Sequence, residues 1–314
     1  FVALGVEWVR HDFGWNQIQE KGSSSYSWAA IDRVVKAVHS HGLKLLPIIG
    51  YTPSWARSAG CTTFNCAPAD LADFANFATA VAARYAPQGI HVWEIWNEPN
   101  VKQFWGPQPD VAAYVALLKV THDAIKSVDP NAIVISGGLA PAATRGGSIA
   151  PIDFLVQMYE LGAQPYFDAF GFHPYSYPAL PSYKASWNAW AQMSTNEDNL
   201  REIMTINGDA AKPIWMTEYG APTGGPGSGA TLANFNFSNS PDHVDEALQA
   251  RMVSDSISLW RKESFAGPLF FYSYKDLGVA PTTNENFFGF LRYDGSEKPS
   301  YDVLKRLIAS STPQ

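Results

Sequence analysis

Short apolar runs alternate along the chain with longer stretches whose apolar residues recur at helical spacing. A short continuous apolar run reads as a strand, and one apolar throughout suits a parallel sheet buried on both faces. Val6 to Phe13 is the first strand, ending in polar residues. Tyr26 to His41 follows as a helix with Ile31, Val34, Val35 and Val38 on one face, closed by Gly42. Leu43 to Ile49 is a strand, and Asp70 to Tyr85 is a helix with Leu71, Phe74, Phe77, Ala78 and Val81 turned inward. A strand from His91 reaches Trp96 and stops before Pro99. Asp110 to Val128 reads as an amphipathic helix with Asp110 as N-cap.

The same alternation continues. Ala132 to Ser136 is a strand followed by Gly137 and Gly138, Pro151 to Leu161 a helix, and Phe167 to His173 a strand. Asn196 to Asn207 is a helix, and Lys212 opens a strand that ends at Glu218. Pro222 to Pro241 is a Gly-, Pro- and Asn-rich loop, too long for a simple connection. Asp242 to Glu263 is a helix with Asp242 as its N-cap, Pro268 to Lys275 a strand, and Ser300 to Ala309 a last helix. No linker or shift of composition interrupts the series. The expected fold is α/β, one (β/α)8 TIM-barrel domain over residues 1–314. A doubly wound open sheet is the alternative, but such sheets carry a glycine-rich phosphate loop after an early strand. Here Gly224-Gly225-Pro226-Gly227 follows a late strand and contains a proline. Only seven strands are found, and Phe1 to Gly5 reads as the tail of a helix.

Two of the strands end in the same chemistry. Trp93-Glu94-Ile95-Trp96-Asn97-Glu98-Pro99-Asn100 places an amide, a carboxylate and a second amide after aromatic bulk. Trp215-Met216-Thr217-Glu218-Tyr219-Gly220 ends an apolar strand in a carboxylate, an aromatic residue and a glycine. Desolvation among tryptophans favours the protonated carboxyl, the condition for a general acid near neutral pH. Two such carboxylates at two strand ends form the constellation used for glycoside hydrolysis.

Composition narrows the partners. The chain has 314 residues and a net charge of -7, without a Lys/Arg stripe, so nucleic acid is not an expected partner. No apolar run of about 18 residues is present, so no membrane-crossing helix is expected. The residues at Phe1 have neither the basic start nor the apolar centre of a signal peptide. The 11 Trp and 14 Tyr lean toward a carbohydrate, whose C–H faces stack on such rings. Cys61 and Cys66 sit in one polar loop and lack further metal ligands nearby. A local disulfide is expected, with free thiols as the alternative, and a disulfide implies export. No metal or cofactor is expected, and the chain is expected to be a monomer.

Trp96-Asn97-Glu98-Pro99 and Thr217-Glu218-Tyr219-Gly220 resemble the two catalytic motifs of clan A glycoside hydrolases. These are retaining (β/α)8 enzymes of the cellulase, β-xylosidase and β-galactosidase kind, and the resemblance covers nearly the whole chain in motif order. It implies Glu98 as acid/base after strand four and Glu218 as nucleophile after strand seven. Here they follow the third and sixth visible strands, so the first barrel strand is expected before Phe1. The resemblance also implies Arg10 as a partner of the nucleophile, Asn97 on a sugar 2-hydroxyl, and His173 and Tyr175 near the nucleophile. The last strand departs from it. Many family 5 members have a Trp there, whereas this chain reads Phe270-Phe271-Tyr272-Ser273-Tyr274-Lys275-Asp276. That segment and Arg10-His11-Asp12-Phe13 are more similar to family 39 sequences.

The remaining candidates have ordinary readings beside the functional ones. Arg10 at a barrel mouth reads as functional over a rim ion pair, and His173 is as readily a core histidine. Trp15, Trp55 and Trp105 fall in loops after strands and are favoured as sugar platforms over core residues, with Tyr274 as a further substrate contact. Glu94 is expected to point inward and pair with a cation. A non-catalytic sugar-binding barrel would lose one glutamate, and both are present. A transglycosylase would use the same residues. On an eight-stranded barrel whose interior is filled by side chains, strands three apart bring the two carboxyl groups within about 5 to 5.5 Å, so retention is expected.

Overall fold

The computed structural model describes residues 1–233 and 240–310. In chain order these form β1 (Trp8–Gly14), α1 (Trp15–Ile18), α2 (Ala29–Ser40), β2 (Lys44–Gly50), α3 (Leu71–Tyr85) and β3 (Val92–Asn97). There follow α4 (Val111–Val128), β4 (Ile133–Gly138), α5 (Pro151–Glu160), β5 (Phe170–Phe172), α6 (Ala189–Ser194) and α7 (Leu200–Ile206). The last elements are β6 (Ile214–Tyr219), β7 (Gly229–Ala230), β8 (His243–Val244), α8 (Glu246–Trp260), β9 (Ala266–Phe271) and α9 (Pro299–Ala309). They fall into two compact units, and the chain passes from one to the other within β6.

The first unit comprises Glu7–His173 and Leu200–Trp215. Its centre is a parallel sheet of four strands in the order β1-β2-β3-β4. Trp8 pairs with Lys44 and Gly14 with Gly50, and Val92 pairs with Ile133. β5 continues alongside β4 through Ile135↔Ala169 and Leu139↔Phe172. The chain entering β6 joins β5, where Phe170 N–H donates to the Pro213 carbonyl at 3.0 Å. Leu45, Leu46, Ile48 and Ile49 are all buried, as a strand apolar on both faces requires. α3 turns Phe74, Phe77, Ala78 and Val81 into the core, and α4 turns Tyr114, Leu117, Leu118 and Ile125. Asp70 and Asp110 cap these helices through the amides of Ala72 and Ala113. α2 starts three residues later than its apolar pattern. Tyr26 and Trp28 stack on each other at 5.0 Å, and Ser27 N–H bonds the Ile18 carbonyl instead of starting a helix.

The second unit comprises Phe1–Val6, Pro174–Asn199 and Met216–Gln314. In it Tyr272 N–H donates to the Tyr219 carbonyl at 2.8 Å, at the ends of β9 and β6. α8 and α9 bury Val253, Ile257, Tyr301 and Leu304 together with Leu4 and Phe290. The Phe1–Gly5 stretch is a single 3-10 turn, Val2–Leu4, closed by Gly5 at φ 78°. α8 is capped by Asp245, whose carboxylate accepts from Leu248 N–H at 2.7 Å, and this corrects Asp242 as the cap. Asp242 instead accepts from Gly227 N–H and contacts His243, directly after the expected long loop. Part of that loop forms β7, which pairs with β8 just after it, and its residues 234–239 lie outside the described residues.

Seven strands of three or more residues occur among the described residues, the number read from the sequence. β3 and β6, the third and sixth, carry Glu98 and Glu218 at their carboxyl ends.

Candidate active site

At the end of β3 the register passes from Ile95↔Ser136 to Asn97↔Gly138. The residues around Asn97 take backbone angles that large side chains rarely adopt: φ is 72° at Trp96 and 44° at Glu98. Each such residue costs on the order of 1–3 kcal/mol, and such strain collects at functional sites. Here the surroundings hold it. Trp96 Nε1 donates to the Phe104 carbonyl at 2.7 Å, and Glu98 N–H donates to the Gly138 carbonyl at 3.0 Å. Gly137 permits the close approach, since a Cβ there would lie 2.7 Å from the Ile95 carbonyl oxygen and 2.8 Å from that of Trp96. Glu98 leaves the strand with its Oε1 2.9 Å from His173 Nδ1. The glutamate side chain is 13% exposed and the histidine 0%.

Beneath Glu98 lies a buried ion pair. Arg10 Nε donates to Glu94 Oε2 at 2.6 Å, and its Nη2 donates to Glu94 Oε1 at 3.2 Å. The same Nη2 donates to Asn97 Oδ1 at 2.8 Å, and Gly138 N–H donates to Glu94 Oε1 at 3.0 Å. One fully buried carboxylate thus ties β1, β3 and β4 together and, through Arg10, fixes the amide of Asn97. The inward-facing Glu94 paired with a cation is as the sequence reading expects.

In the second unit Glu218 lies one residue before the end of β6, and the Tyr175 hydroxyl donates to its Oε2 at 2.8 Å. A donor of this kind orients the carboxylate. Tyr175 is held edge-on by Tyr177 and Phe288. Beside Glu218, Tyr219 is fully buried against Trp190 and Phe271. Burial pushes its phenol well above the ordinary tyrosine range, so it stays neutral.

The predicted sugar platforms separate into two kinds. Trp15 is 0% exposed, stacked on Phe77, with its Nε1 donating to Gln19 Oε1. Trp105 is 2% exposed and packed on Trp96 and Tyr114. Neither ring offers a face to a ligand, and both expectations are corrected: these are core residues. Trp55 is half-buried, edge-on to Trp15, its Nε1 bonded to the Gln19 carbonyl. Tyr274, half-buried, stacks on Phe1 at 4.4 Å and packs against the Leu4–Phe290 cluster. His173 is enclosed and meets Glu98. Cys61 and Cys66 form the expected disulfide, with Cα atoms 6.2 Å apart, and so offer no thiolate to a metal.

Three aromatic residues were not selected from the sequence. Tyr272 directly follows β9, beside the strand that carries Glu218, with its ring on Phe288 and its hydroxyl donating to Glu285 at 3.2 Å. The strand stops at Phe271, before Lys275. Tyr51 follows β2, and Phe64 lies inside the disulfide loop. The Tyr51-Thr-Pro turn after an apolar strand was the available signal.

With this geometry in hand, comparison with known proteins gives consistent relatives. A family model described as cellulase (glycosyl hydrolase family 5) matches residues 1–243. A β-xylosidase of Caldicellulosiruptor saccharolyticus is 24% identical, over 97% of this chain and 62% of its own length. Among solved structures, a family 39 glycoside hydrolase from the gut symbiont Bacteroides cellulosilyticus WH2 aligns with a TM-score of 0.73 and 24% identity, covering 98% of this chain and 59% of that one. A GH5_18 structure from Streptomyces cattleya in complex with GlcNAc aligns with a TM-score of 0.69 and 17% identity, covering 99% and 74%. The chain therefore spans about three fifths of the length of the β-xylosidase and of the family 39 structure. The structural likenesses establish an α/β fold of the (β/α)8 kind.

Proposed function

The chain belongs to the cellulase family, glycosyl hydrolase family 5, and from that premise we propose that it is a retaining hydrolase of β-linked saccharides. The observation that carries the reading is the placement of the two glutamates. Each stands at the carboxyl end of a strand, and each meets one side chain of the short segment His173-Pro174-Tyr175. Glu218, bonded by a tyrosine hydroxyl, is the nucleophile. Its carboxylate attacks the anomeric carbon and forms a covalent glycosyl-enzyme as the bond to the leaving oxygen breaks. Glu98 gives that oxygen its proton, then takes a proton from the water that hydrolyses the intermediate. Asn97, its carbonyl side held by Arg10, is left with its amide N–H groups for a sugar hydroxyl.

The β-xylosidase relative makes β-xylosides the first substrates to test. The Cys61–Cys66 disulfide supports action outside the reducing cytosol. A carbohydrate as the partner follows from the reaction. The test is a screen of aryl β- and α-glycosides and of β-linked polysaccharides with product sizing. Turnover of at least one β-glycoside, and of no α-glycoside, is the expected result.

A further inference from the structure

Between β2 and α3 lies a loop that none of the roles above uses. It begins at Tyr51, whose φ of 69° is again in the left-handed region. Its carbonyl accepts from Asn16 N–H at 2.8 Å. The Tyr51 ring lies 6.0 Å from Trp96 on one side and stands edge-on to Phe64, 5.6 Å away, on the other. Phe64 lies between the two disulfide cysteines and is 46% exposed. Rings therefore run in contact from the residue that precedes Asn97-Glu98 out to an exposed phenylalanine.

The loop that presents Phe64 is braced along its length. Thr52 N–H donates to the Phe64 carbonyl at 2.7 Å, and the Thr52 hydroxyl donates to the Cys66 carbonyl at 2.5 Å. Arg57 Nη1 donates to the Thr62 carbonyl at 3.0 Å. Gly106 N–H donates to the Asn65 carbonyl at 2.9 Å, and the Asn65 amide reaches the Gln103 carbonyl. The last two bonds join this loop to the chain that follows Glu98. A single exposed ring on a surface is ordinary. A ring fixed by a disulfide and by bonds to the loop of Glu98, and reached through a strained Tyr51, is placed for contact.

We propose that Tyr51 and Phe64 form the wall of a further sugar subsite next to Glu98, and that the Cys61–Cys66 bond holds Phe64 in it. The inference rests on the function proposed above, and its occupant is a second sugar of a β-linked oligosaccharide. The aryl β-glycosides carry one sugar and do not need the wall, whereas oligosaccharides do.

The experiment compares wild type with Phe64→Ala, Phe64→Trp and the Cys61→Ser/Cys66→Ser double variant. KM is measured on an aryl β-xyloside and on β-1,4-linked xylose oligomers of increasing length, and oligomer binding is followed by calorimetry. Phe64→Ala is expected to raise KM and Kd for the longer oligomers about tenfold, with kcat little changed and the aryl glycoside within about twofold. Phe64→Trp keeps or improves binding, and the double serine variant follows Phe64→Ala. Equal losses on the aryl glycoside and the oligomers, or unchanged oligomer binding in Phe64→Ala, would overturn the wall. The binding arm reads the wall even if wild type turns over none of these substrates: weaker binding in Phe64→Ala then keeps the inference while the proposed activity fails, and no oligomer binding by wild type overturns it.

Discussion

Glu98 Oε1 and His173 Nδ1 lie 2.9 Å apart, with the histidine fully enclosed and the glutamate side chain largely buried at the strand end. The partner fixes which way the carboxyl group faces. His173→Ala is expected to lower kcat on substrates with poor leaving groups about tenfold, the worth of one hydrogen bond to a group that changes charge. The effect on activated aryl glycosides should be smaller, and His173→Asn should recover part of the loss. Equal losses on both kinds of substrate would mean that His173 only holds the fold.

Glu98→Gln removes the proton donor while keeping the shape. The expected loss is about 10²–10⁴-fold on alkyl or sugar leaving groups. An activated aryl leaving group hardly needs the proton, so the first step on such substrates should be nearly intact. A rate series over leaving groups of graded acidity checks this: the variant should show the steeper dependence.

Glu94 is the keystone of a buried pair, not a catalyst. Glu94→Ala leaves the Arg10 guanidinium enclosed without its carboxylate and frees Gly138 N–H of its acceptor. Breaking a buried pair on one side costs about 3–5 kcal/mol. Denaturant unfolding should show that loss, against a much smaller one for a substitution at the exposed Lys44–Glu7 pair.

Lys298 gives a second stability test, remote from the reacting groups. Its ammonium is buried, 2.8 Å from Asp276 Oδ1, and also donates to the Thr223 hydroxyl and the Phe287 carbonyl. Burial holds it below the ordinary lysine range. Lys298→Ala strands Asp276 and should cost about 3–5 kcal/mol, whereas replacing Lys298 and Asp276 together by apolar residues should recover much of that. Equal stability of the single and double variants would contradict the pairing.

The elements were legible where local chemistry set them. Asp110 caps its helix as read, and the apolar run Leu43 to Ile49 is a buried strand. Glu94 could be placed inward because it sits two residues before Trp96, on the same face of the strand. Where packing of distant segments decides, the reading failed. Trp15 is covered by Phe77 of α3 and Trp105 by Tyr114 of α4, contacts that loop position alone cannot foretell. α6 escaped notice because it is barely two turns long and is capped by Asn188 in a polar segment. Asp242 and Asp245 are both plausible caps in sequence, and only the bond to Leu248 N–H chooses between them.

The most direct test of the proposed mechanism is the anomer first released from a β-linked substrate, followed by proton NMR before mutarotation. Attack by Glu218 followed by water gives two inversions at the anomeric carbon and hence retention. The expected first product is therefore the β-anomer, approaching the equilibrium mixture only later. An α-anomer appearing first would mean direct attack by water and would contradict Glu218 as the nucleophile.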